Sequence, residues 1–237
     1  MLDQKRRHHL QQMGVVLWTT KKKDTLDNPQ MTSPASQKPS PQDMMTNNVA
    51  HLDWAALEAA VARCQACSLY KTRTQPVFGS GNKQADLLVV GEAPGANEDK
   101  QGLPFVGRGG QLLTQMLLAI GLAREDIYIA NILKSRPENN RDPLPQEVKA
   151  CTPFLLRQIE LLQPKLILAV GRIAAHFLLE TNSPMSRLRG NLFYYGPRKT
   201  PLLVTYHPAY LLRSPREKRK AWQDMQCVKA QLYGSVS

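Results

Sequence analysis

A turn rich in glycine and proline surrounds a carboxylate in the first half of the chain. It consists of Gly91-Glu92-Ala93-Pro94-Gly95 and follows an apolar run typical of a buried strand. Glycines allow a backbone to approach a ligand closely, and such a turn can direct N–H groups at an anion or a carbonyl oxygen. Taken alone, the pentapeptide is better explained as an ordinary strand-to-helix turn.

An aromatic residue in a loop follows this turn. Glu98 and Asp99 precede the segment Leu103-Pro104-Phe105-Val106-Gly107, where Phe105 occupies no regular core position of a helix or strand. An aromatic face in such a loop can stack on a nucleobase and contribute about 1–3 kcal/mol per base. Packing of Phe105 onto the core explains the pattern equally well.

A histidine and a basic stretch come together near the C-terminus, in His207-Pro208-Ala209-Tyr210-Leu211-Leu212-Arg213. His207 directly follows an apolar run, and the proline after it ends strand pairing. Arg213 begins a basic segment that can hold phosphates. The alternatives are a packed, hydrogen-bonded histidine and a basic helix face that is exposed to solvent.

The elements that position these segments alternate between strand and helix. Apolar runs predict strands at 86–90, 127–130, 166–170 and 202–206, and helical spacing predicts helices at 54–63, 109–120, 145–162 and 172–179. Such alternation is typical of a mostly parallel sheet covered on both faces. The unusual residues all follow predicted strands, and ligands of open α/β sheets bind beyond the carboxyl ends of the strands.

Residues 1–50 differ in composition from the rest of the chain. Ser, Pro, Gln and Lys dominate 32–43, and such a segment cannot bury enough apolar surface to offset the entropy lost on ordering. We therefore predict a disordered tail at 1–50. The segment holds seven basic and four acidic residues, so most of the net charge of +12 belongs to the remainder.

Charge and cysteine content restrict the class of protein. A net charge of +12 makes a polyanion the first partner to consider, because released counterions drive binding to phosphates, but a basic protein without an anionic partner explains the charge equally well. No apolar run is long enough to span a membrane, and no secretory signal is evident. Four cysteines are too few for a disulfide scaffold. We expect a cytoplasmic protein whose thiols are free, metal-bound or catalytic.

Taken together, the motifs resemble family 4 uracil-DNA glycosylase. The resemblance covers about residues 60–232 and rests on five ordered motifs: Gly-Glu-Ala-Pro-Gly, Glu-Asp, Pro-Phe-Val-Gly, Asn-x-x-Lys-x-Arg-Pro and His-Pro-Ala-Tyr-Leu-Leu-Arg. It implies an α/β fold, a three-layer α/β/α sandwich with a central four-stranded parallel sheet. It also implies a uracil-DNA glycosylase domain at 51–237 and DNA containing uracil as the substrate.

The resemblance assigns roles to individual residues. The motif glycines Gly91 and Gly95 and the carboxylate of Glu92 would shape a uracil pocket, and Glu98 would lie near the hydrolytic water. Phe105 would stack on the extruded base, and Asn131 would bind its Watson–Crick edge. His207 would donate to uracil O2 as charge develops there, and Arg213 would contact the DNA backbone.

The chain departs from the family pattern at the iron–sulfur cluster. The family has four cysteine ligands of a [4Fe–4S] cluster; here Cys64, Cys67 and Cys151 match three of them, and Ser135 occupies the fourth position. Three interpretations stay open. A cluster persists on three thiolates with Ser135 or another group at the fourth iron, or the cluster is lost, or a zinc ion binds the three sulfurs and one other ligand. Cys227 lies outside the pattern.

Three hypotheses about function follow. The first is a monofunctional enzyme that hydrolyses the N-glycosidic bond of deoxyuridine in DNA, releases uracil and leaves an abasic site in base excision repair. The second is a catalytically silent DNA-binding relative, and the third is a glycosylase with a broader range of deaminated bases. Nothing in the sequence indicates oligomerisation, so we expect a monomer.

Overall fold

The computed structural model describes residues 49–234 of the chain, and the predicted tail at 1–50 lies almost wholly outside the described residues. Eight α-helices follow the start of this region. They are α1 (Trp54–Ala62), α2 (Ala96–Gln101), α3 (Arg108–Leu118), α4 (Pro145–Leu162), α5 (Arg172–Leu179), α6 (Met185–Leu188), α7 (Pro208–Arg213) and α8 (Lys218–Tyr233). The strands are β1 (Ser80–Gly81), β2 (Leu87–Gly91), β3 (Tyr128–Asn131), β4 (Leu166–Val170), β5 (Phe193–Tyr195) and β6 (Thr200–Thr205).

The six strands form one sheet in the order β1-β3-β2-β4-β6-β5. The four central strands are parallel, with Gly91 opposite Asn131 and Val170 opposite Thr205. The predicted parallel four-stranded core is therefore confirmed. The sheet is nevertheless wider than predicted, because the short strands β1 and β5 add antiparallel edges to β3 and β6.

Helices cover both faces of the sheet, as the prediction of a three-layer α/β/α sandwich requires. Alternate strand residues point to opposite faces, because the side-chain period of a strand is two. Leu88 and Val90 pack with the buried residues of α4 and α5, whereas Leu87 and Val89 pack with those of α3 and α8. All five residues of β2 are buried, which explains why its sequence is a continuous apolar run.

A smaller apolar cluster joins α1 to α4. Leu57 and Val61 of α1 pack against Phe154, and Cys64 belongs to the same cluster. The side chain of Asp53 accepts a hydrogen bond from the Ala56 N–H at 2.8 Å and caps α1, as the sequence predicts. Within residues 49–234, no helix combines the length and apolar character needed to cross a membrane.

Candidate active site

A cavity of about 480 Å³ opens at the carboxyl ends of the parallel strands. Most of the residues predicted to form a site line this cavity. They are Glu92, Gly95, Glu98, Phe105, Asn131, His207 and Arg213. The tertiary structure thus brings together segments that are more than a hundred residues apart in the sequence, at the sheet edge where a ligand is expected.

Asn131 is the last residue of β3 and has a buried amide, with 2% of its surface exposed. Its Oδ1 is the one buried side-chain oxygen or nitrogen among residues 49–234 that has no hydrogen-bond partner. A buried acceptor without a donor costs about 1–3 kcal/mol. Because Asn131 lies in the cavity wall, this acceptor is available to a ligand that offers a hydrogen-bond donor.

The ring of Phe105 packs close to Asn131, and Gly91 lies between them. A Cβ at Gly91 would lie 2.3 Å from Asn131 Oδ1 and 2.6 Å from the Phe105 ring. No larger residue fits there, so glycine is required for a close approach and not for a turn. Phe105 is buried, which agrees with packing onto the core, but its ring also faces the ring of His207 at a centroid distance of 5.7 Å.

The backbone of Phe105 is strained, and a residue absent from the predictions supports it. Phe105 has a φ of 53°, in the left-handed region that few non-glycine residues adopt. Arg124 donates to the carbonyls of Phe105 and Pro104 at 3.0 and 2.7 Å. Arg124 lies nineteen residues beyond Phe105 in a short 3₁₀ helix, so no local pattern in the sequence could have identified it.

The carboxylate of Glu98 holds the two loops of the cavity together. Its Oε2 accepts from the Gly95 N–H at 3.1 Å, and its Oε1 accepts from the N–H groups of Val106 and Gly107, both at 2.9 Å. A carboxylate has about four lone-pair sites. Three of them are thus used to fix the glycine turn and the Phe105 loop, a structural contribution that the sequence did not predict.

His207 caps the short helix α7 through its own ring. Its Nδ1 accepts from the Ala209 N–H at 3.2 Å. Burial, together with the nearby positive charge of Arg213, lowers the pKa of His207 to about 4. The imidazole is therefore neutral at neutral pH, and because Nδ1 accepts, its proton is on Nε2.

Glu92 occupies a cavity wall with a shifted pKa and several cations around it. Burial and the neighbouring negative charge of Asp142 raise the pKa of Glu92 to about 7, and Arg172 acts in the opposite direction. Arg108, Arg141 and Arg213 also line the cavity. Of these arginines the sequence motifs identified Arg213 alone, because the others belong to no basic run.

A buried lysine lies beneath Asn131. Lys134 is 1% exposed, and its Nζ donates to the Asn131 carbonyl at 2.8 Å and to Gln158 Oε1 at 2.7 Å. Gln158 in turn donates to the Phe78 carbonyl and to the Tyr128 hydroxyl. Burial lowers the pKa of Lys134 to about 7. Lys134 belongs to the motif Asn-x-x-Lys-x-Arg-Pro but was assigned no role by the sequence analysis, and its hydrogen bond holds the Asn131 carbonyl in place.

The four residues that correspond to cluster ligands converge on one another. The Cys151 thiol donates to the Cys67 sulfur, which lowers the pKa of Cys67 to about 6 and raises that of Cys151. Arg73 donates to the Ser135 hydroxyl at 2.9 Å and to the Cys64 carbonyl at 3.0 Å, and so connects the other two positions. Cys64, Ser135 and Cys151 are buried.

Three thiols and one hydroxyl stand where the family pattern has four thiolates, so the chemistry of the donor set fits three of the four ligands of a [4Fe–4S] cluster. Among residues 49–234, no three His, Cys, Asp or Glu side chains are grouped so as to hold a single metal ion. In a four-iron cluster each thiolate binds a different iron, so the sulfurs need not share one ion. Backbone N–H groups of Ala66, Leu69 and Lys134 point at the three sulfurs.

The fold and the cavity together define an α/β protein with a polar cavity at the carboxyl edge of a parallel sheet, lined by an aromatic ring and a buried amide. The model of the uracil DNA glycosylase superfamily matches residues 78–226, and the chain belongs to this superfamily.

Relatives within the superfamily include type-4 and type-5 enzymes. The chain is 46% identical over 156 residues to the type-4 uracil-DNA glycosylase of Thermotoga maritima. The aligned residues cover 65% of this chain and 80% of that protein. The chain is 43% identical over 175 residues to the type-4 enzyme of Archaeoglobus fulgidus, and these residues cover 71% of this chain and 87% of that protein. The type-5 enzyme of Thermus thermophilus is less similar, at 30% over 153 residues, 56% of this chain and 68% of that protein.

Proposed function

We propose that this protein is a uracil-DNA glycosylase, which hydrolyses the N-glycosidic bond of deoxyuridine in DNA and leaves an abasic site. The observation that carries the proposal is the unpartnered Oδ1 of Asn131 in the wall of the cavity. The names of the type-4 relatives support it, as does the position of most of the predicted site residues in the wall of this cavity.

Recognition of uracil would depend on the two ends of the Asn131 amide. Uracil has a donor at N3 and an acceptor at O4, and an asparagine amide presents the complementary acceptor and donor. Cytosine has an acceptor at N3 and a donor at N4, so the same amide orientation opposes it at both positions. The ring of Phe105 supplies a flat face beside the amide on which the extruded base can stack.

Bond cleavage would depend on a neutral histidine. As the glycosidic bond breaks, the sugar becomes oxocarbenium-like and negative charge develops on the departing uracil. A preorganised donor at O2 stabilises that charge, usually the largest contribution in this kind of catalysis. The Nε2–H of His207 is such a donor, because Nδ1 is held as an acceptor by Ala209.

Glu98 is our candidate for the residue that orients the attacking water. It lies in the cavity wall with three of its lone pairs engaged by backbone N–H groups. The remaining lone pair can accept a hydrogen bond from water. Arg213 lies at the same cavity and is exposed, which suits a contact with a phosphate of the DNA backbone.

We further propose that Cys64, Cys67 and Cys151 hold a [4Fe–4S] cluster whose fourth position is Ser135. When bound, the cluster would supply a structural tie between α1, the loop after β3 and α4, and no chemistry at the glycosidic bond. Lys134 connects this region to the cavity, because it contacts Asn131 through its side chain and Cys151 through its backbone N–H. Loss of the cluster would therefore affect stability more directly than mechanism.

The test is a uracil-release assay on the full chain, purified without oxygen, with a single deoxyuridine in a labelled oligonucleotide. We expect free uracil and an abasic site that breaks only after alkaline treatment. Iron, sulfide and zinc are measured on the same sample. DNA binding without release of any base would favour the silent relative, and release of hypoxanthine at a comparable rate would favour the broader glycosylase.

A further inference from the structure

A second cavity of about 580 Å³ lies against the first and has no role in the function proposed above. Glu92, His207 and Arg213 line both cavities, so the two share a wall. The remaining lining comes largely from the start of α5, from α6 and from the segment around Tyr206 and Tyr210. A polymeric ligand that enters the first cavity can therefore continue into the second without crossing the protein.

Two tyrosines that contact each other with their rings tilted by 46° form one wall of this second cavity. The rings of Tyr206 and Tyr210 lie 5.1 Å apart, and Tyr210 is 37% exposed. The guanidinium of Arg189 covers the Tyr206 ring at 4.4 Å from its centroid. Aromatic faces that are held in place in this way offer a surface for stacking at little cost in conformational entropy.

A buried ion pair holds this wall in position. Arg189 donates from Nε and Nη2 to the Asp224 carboxylate at 2.7 and 2.8 Å, and Asp224 also accepts from the Thr205 hydroxyl at 2.8 Å. Asp224 is buried in α8, and the Arg189 side chain is only 10% exposed. The network ties α8 to the end of β6, one residue before Tyr206, so the tyrosine wall is part of the rigid fold.

The charges around the second cavity favour an anion at its mouth. Arg172 and Arg213 line it, and Glu92 is the one acidic side chain among the described residues that do so. Arg172 pairs with Asp142 at 2.8 Å, but both side chains are more than half exposed, so water and salt weaken the pair. A phosphate can therefore compete for Arg172.

We propose that the second cavity binds the nucleotide next to the extruded deoxyuridine on the same DNA strand, with its base stacked on Tyr210 and its phosphate at Arg172. The inference rests on the proposed function, which places deoxyuridine in the first cavity. A nucleotide suits the site because it combines a flat base with a phosphate, and strand continuity requires one beside the first cavity.

The experiment compares three oligonucleotides that contain one deoxyuridine. The first has normal bases on both sides, and the other two replace the 5′ or the 3′ neighbour with a tetrahydrofuran residue that lacks a base. Uracil release is measured as kcat/KM. Binding is measured separately as Kd with 2′-fluorodeoxyuridine strands, whose glycosidic bond resists hydrolysis. We expect one of the two base-less substrates to lose about tenfold in both measurements, the size of one base–aromatic stack.

Variants identify the surface that is responsible. Tyr210→Ala should lose about the same factor on the normal substrate and become insensitive to the missing base, whereas Tyr210→Phe should behave as the wild type. Tyr194→Ala is the matched control, because Tyr194 is an exposed tyrosine in β5 that lines neither cavity. Arg172→Gln should lower the salt dependence of Kd by about one phosphate contact. Arg198→Gln is its control, because Arg198 is exposed and lines neither cavity.

The outcomes separate the two proposals. Equal uracil release on all three substrates would overturn the proposed nucleotide site in the second cavity and leave the proposed glycosylase activity intact. So would a Tyr210→Ala protein whose uracil release still depends on the missing base. DNA binding that depends on the flanking base, without any uracil release, would support the nucleotide site in the second cavity and contradict the proposed enzymatic function.

Discussion

The backbone N–H of Ala209 donates to Nδ1 of His207 at 3.2 Å. This contact decides which nitrogen of the neutral ring has the proton, because a nitrogen that accepts a hydrogen bond cannot also be protonated. Burial keeps the ring neutral by lowering the pKa of His207 to about 4. Proline at position 208 begins α7 and leaves Ala209 as the residue whose N–H reaches back to the ring.

Replacement of this donor should affect the chemical step and not binding. His207→Ala is expected to slow single-turnover uracil release by about 100- to 1000-fold, the usual effect of removing one donor to a developing negative charge. The Kd for a 2′-fluorodeoxyuridine strand should change by much less. His176→Ala is the control, because His176 bonds the Ser183 carbonyl and lines neither cavity. Equal losses in rate and affinity would make His207 a positioning residue.

Base discrimination should depend on the Asn131 amide. Asn131→Asp replaces the amide donor with an acceptor and leaves O4 of uracil without its partner. We expect the preference for uracil over cytosine, measured as the ratio of kcat/KM on matched strands, to fall by about 10- to 100-fold. The same change at the exposed Asn191 should leave the ratio unaltered. Unchanged discrimination in Asn131→Asp would remove the role assigned to this residue.

The raised pKa of Glu92 predicts a pH-dependent cost of folding. Between the ordinary pKa of about 4.5 and the folded value of about 7, the folded protein binds a proton that the unfolded chain does not. Stability therefore falls as pH rises through this window. In Glu92→Gln this loss should be absent, so the stability of the variant relative to the wild type should increase from pH 5 to pH 8. Urea unfolding at each pH measures the difference. Glu125→Gln at an exposed site should show no such trend.

Lys134 should contribute strongly to stability through the two acceptors that it satisfies. Lys134→Met leaves the Asn131 carbonyl and Gln158 Oε1 buried without their donor. We expect a loss of about 2–4 kcal/mol in the free energy of unfolding. Lys165→Met is the matched control, because Lys165 is 71% exposed in its ion pair with Asp86. An unfolding midpoint in urea that matches the wild type would show that other groups hold Asn131 and Gln158 in place.

The serine at the fourth cluster position should make bound iron easier to lose. Ser135→Cys restores a fourth thiolate, so its iron and sulfide content after exposure to air should exceed that of the wild type. Ser135→Ala removes the hydroxyl and its hydrogen bond from Arg73 and should retain no more iron than the wild type. Absence of iron from all three proteins after anaerobic purification would contradict the proposed cluster.

Much of the fold could be predicted because its signals are local. The strand at 166–170 and the helix at 145–162 are observed with the bounds that their apolar patterns predict. The two edge strands were missed, since two or three residues are too few to show an alternating pattern. No residue of strand β5 is buried, and the strand is defined by its pairing with β6.

The candidate site was also predictable from the sequence only in part. The sequence by itself determined the candidate residues, because each belongs to a short motif at or beyond the end of a strand; they are Glu92, Glu98, Phe105, Asn131 and His207. The tertiary structure decided what those groups can do. Arg124 supports Phe105 from nineteen residues away, Gln158 completes the network of Lys134 from twenty-four, and burial shifts the pKa values of His207 and Glu92 in opposite directions. Solvation and contacts between distant segments exist only once the chain has folded, so no local pattern encodes them.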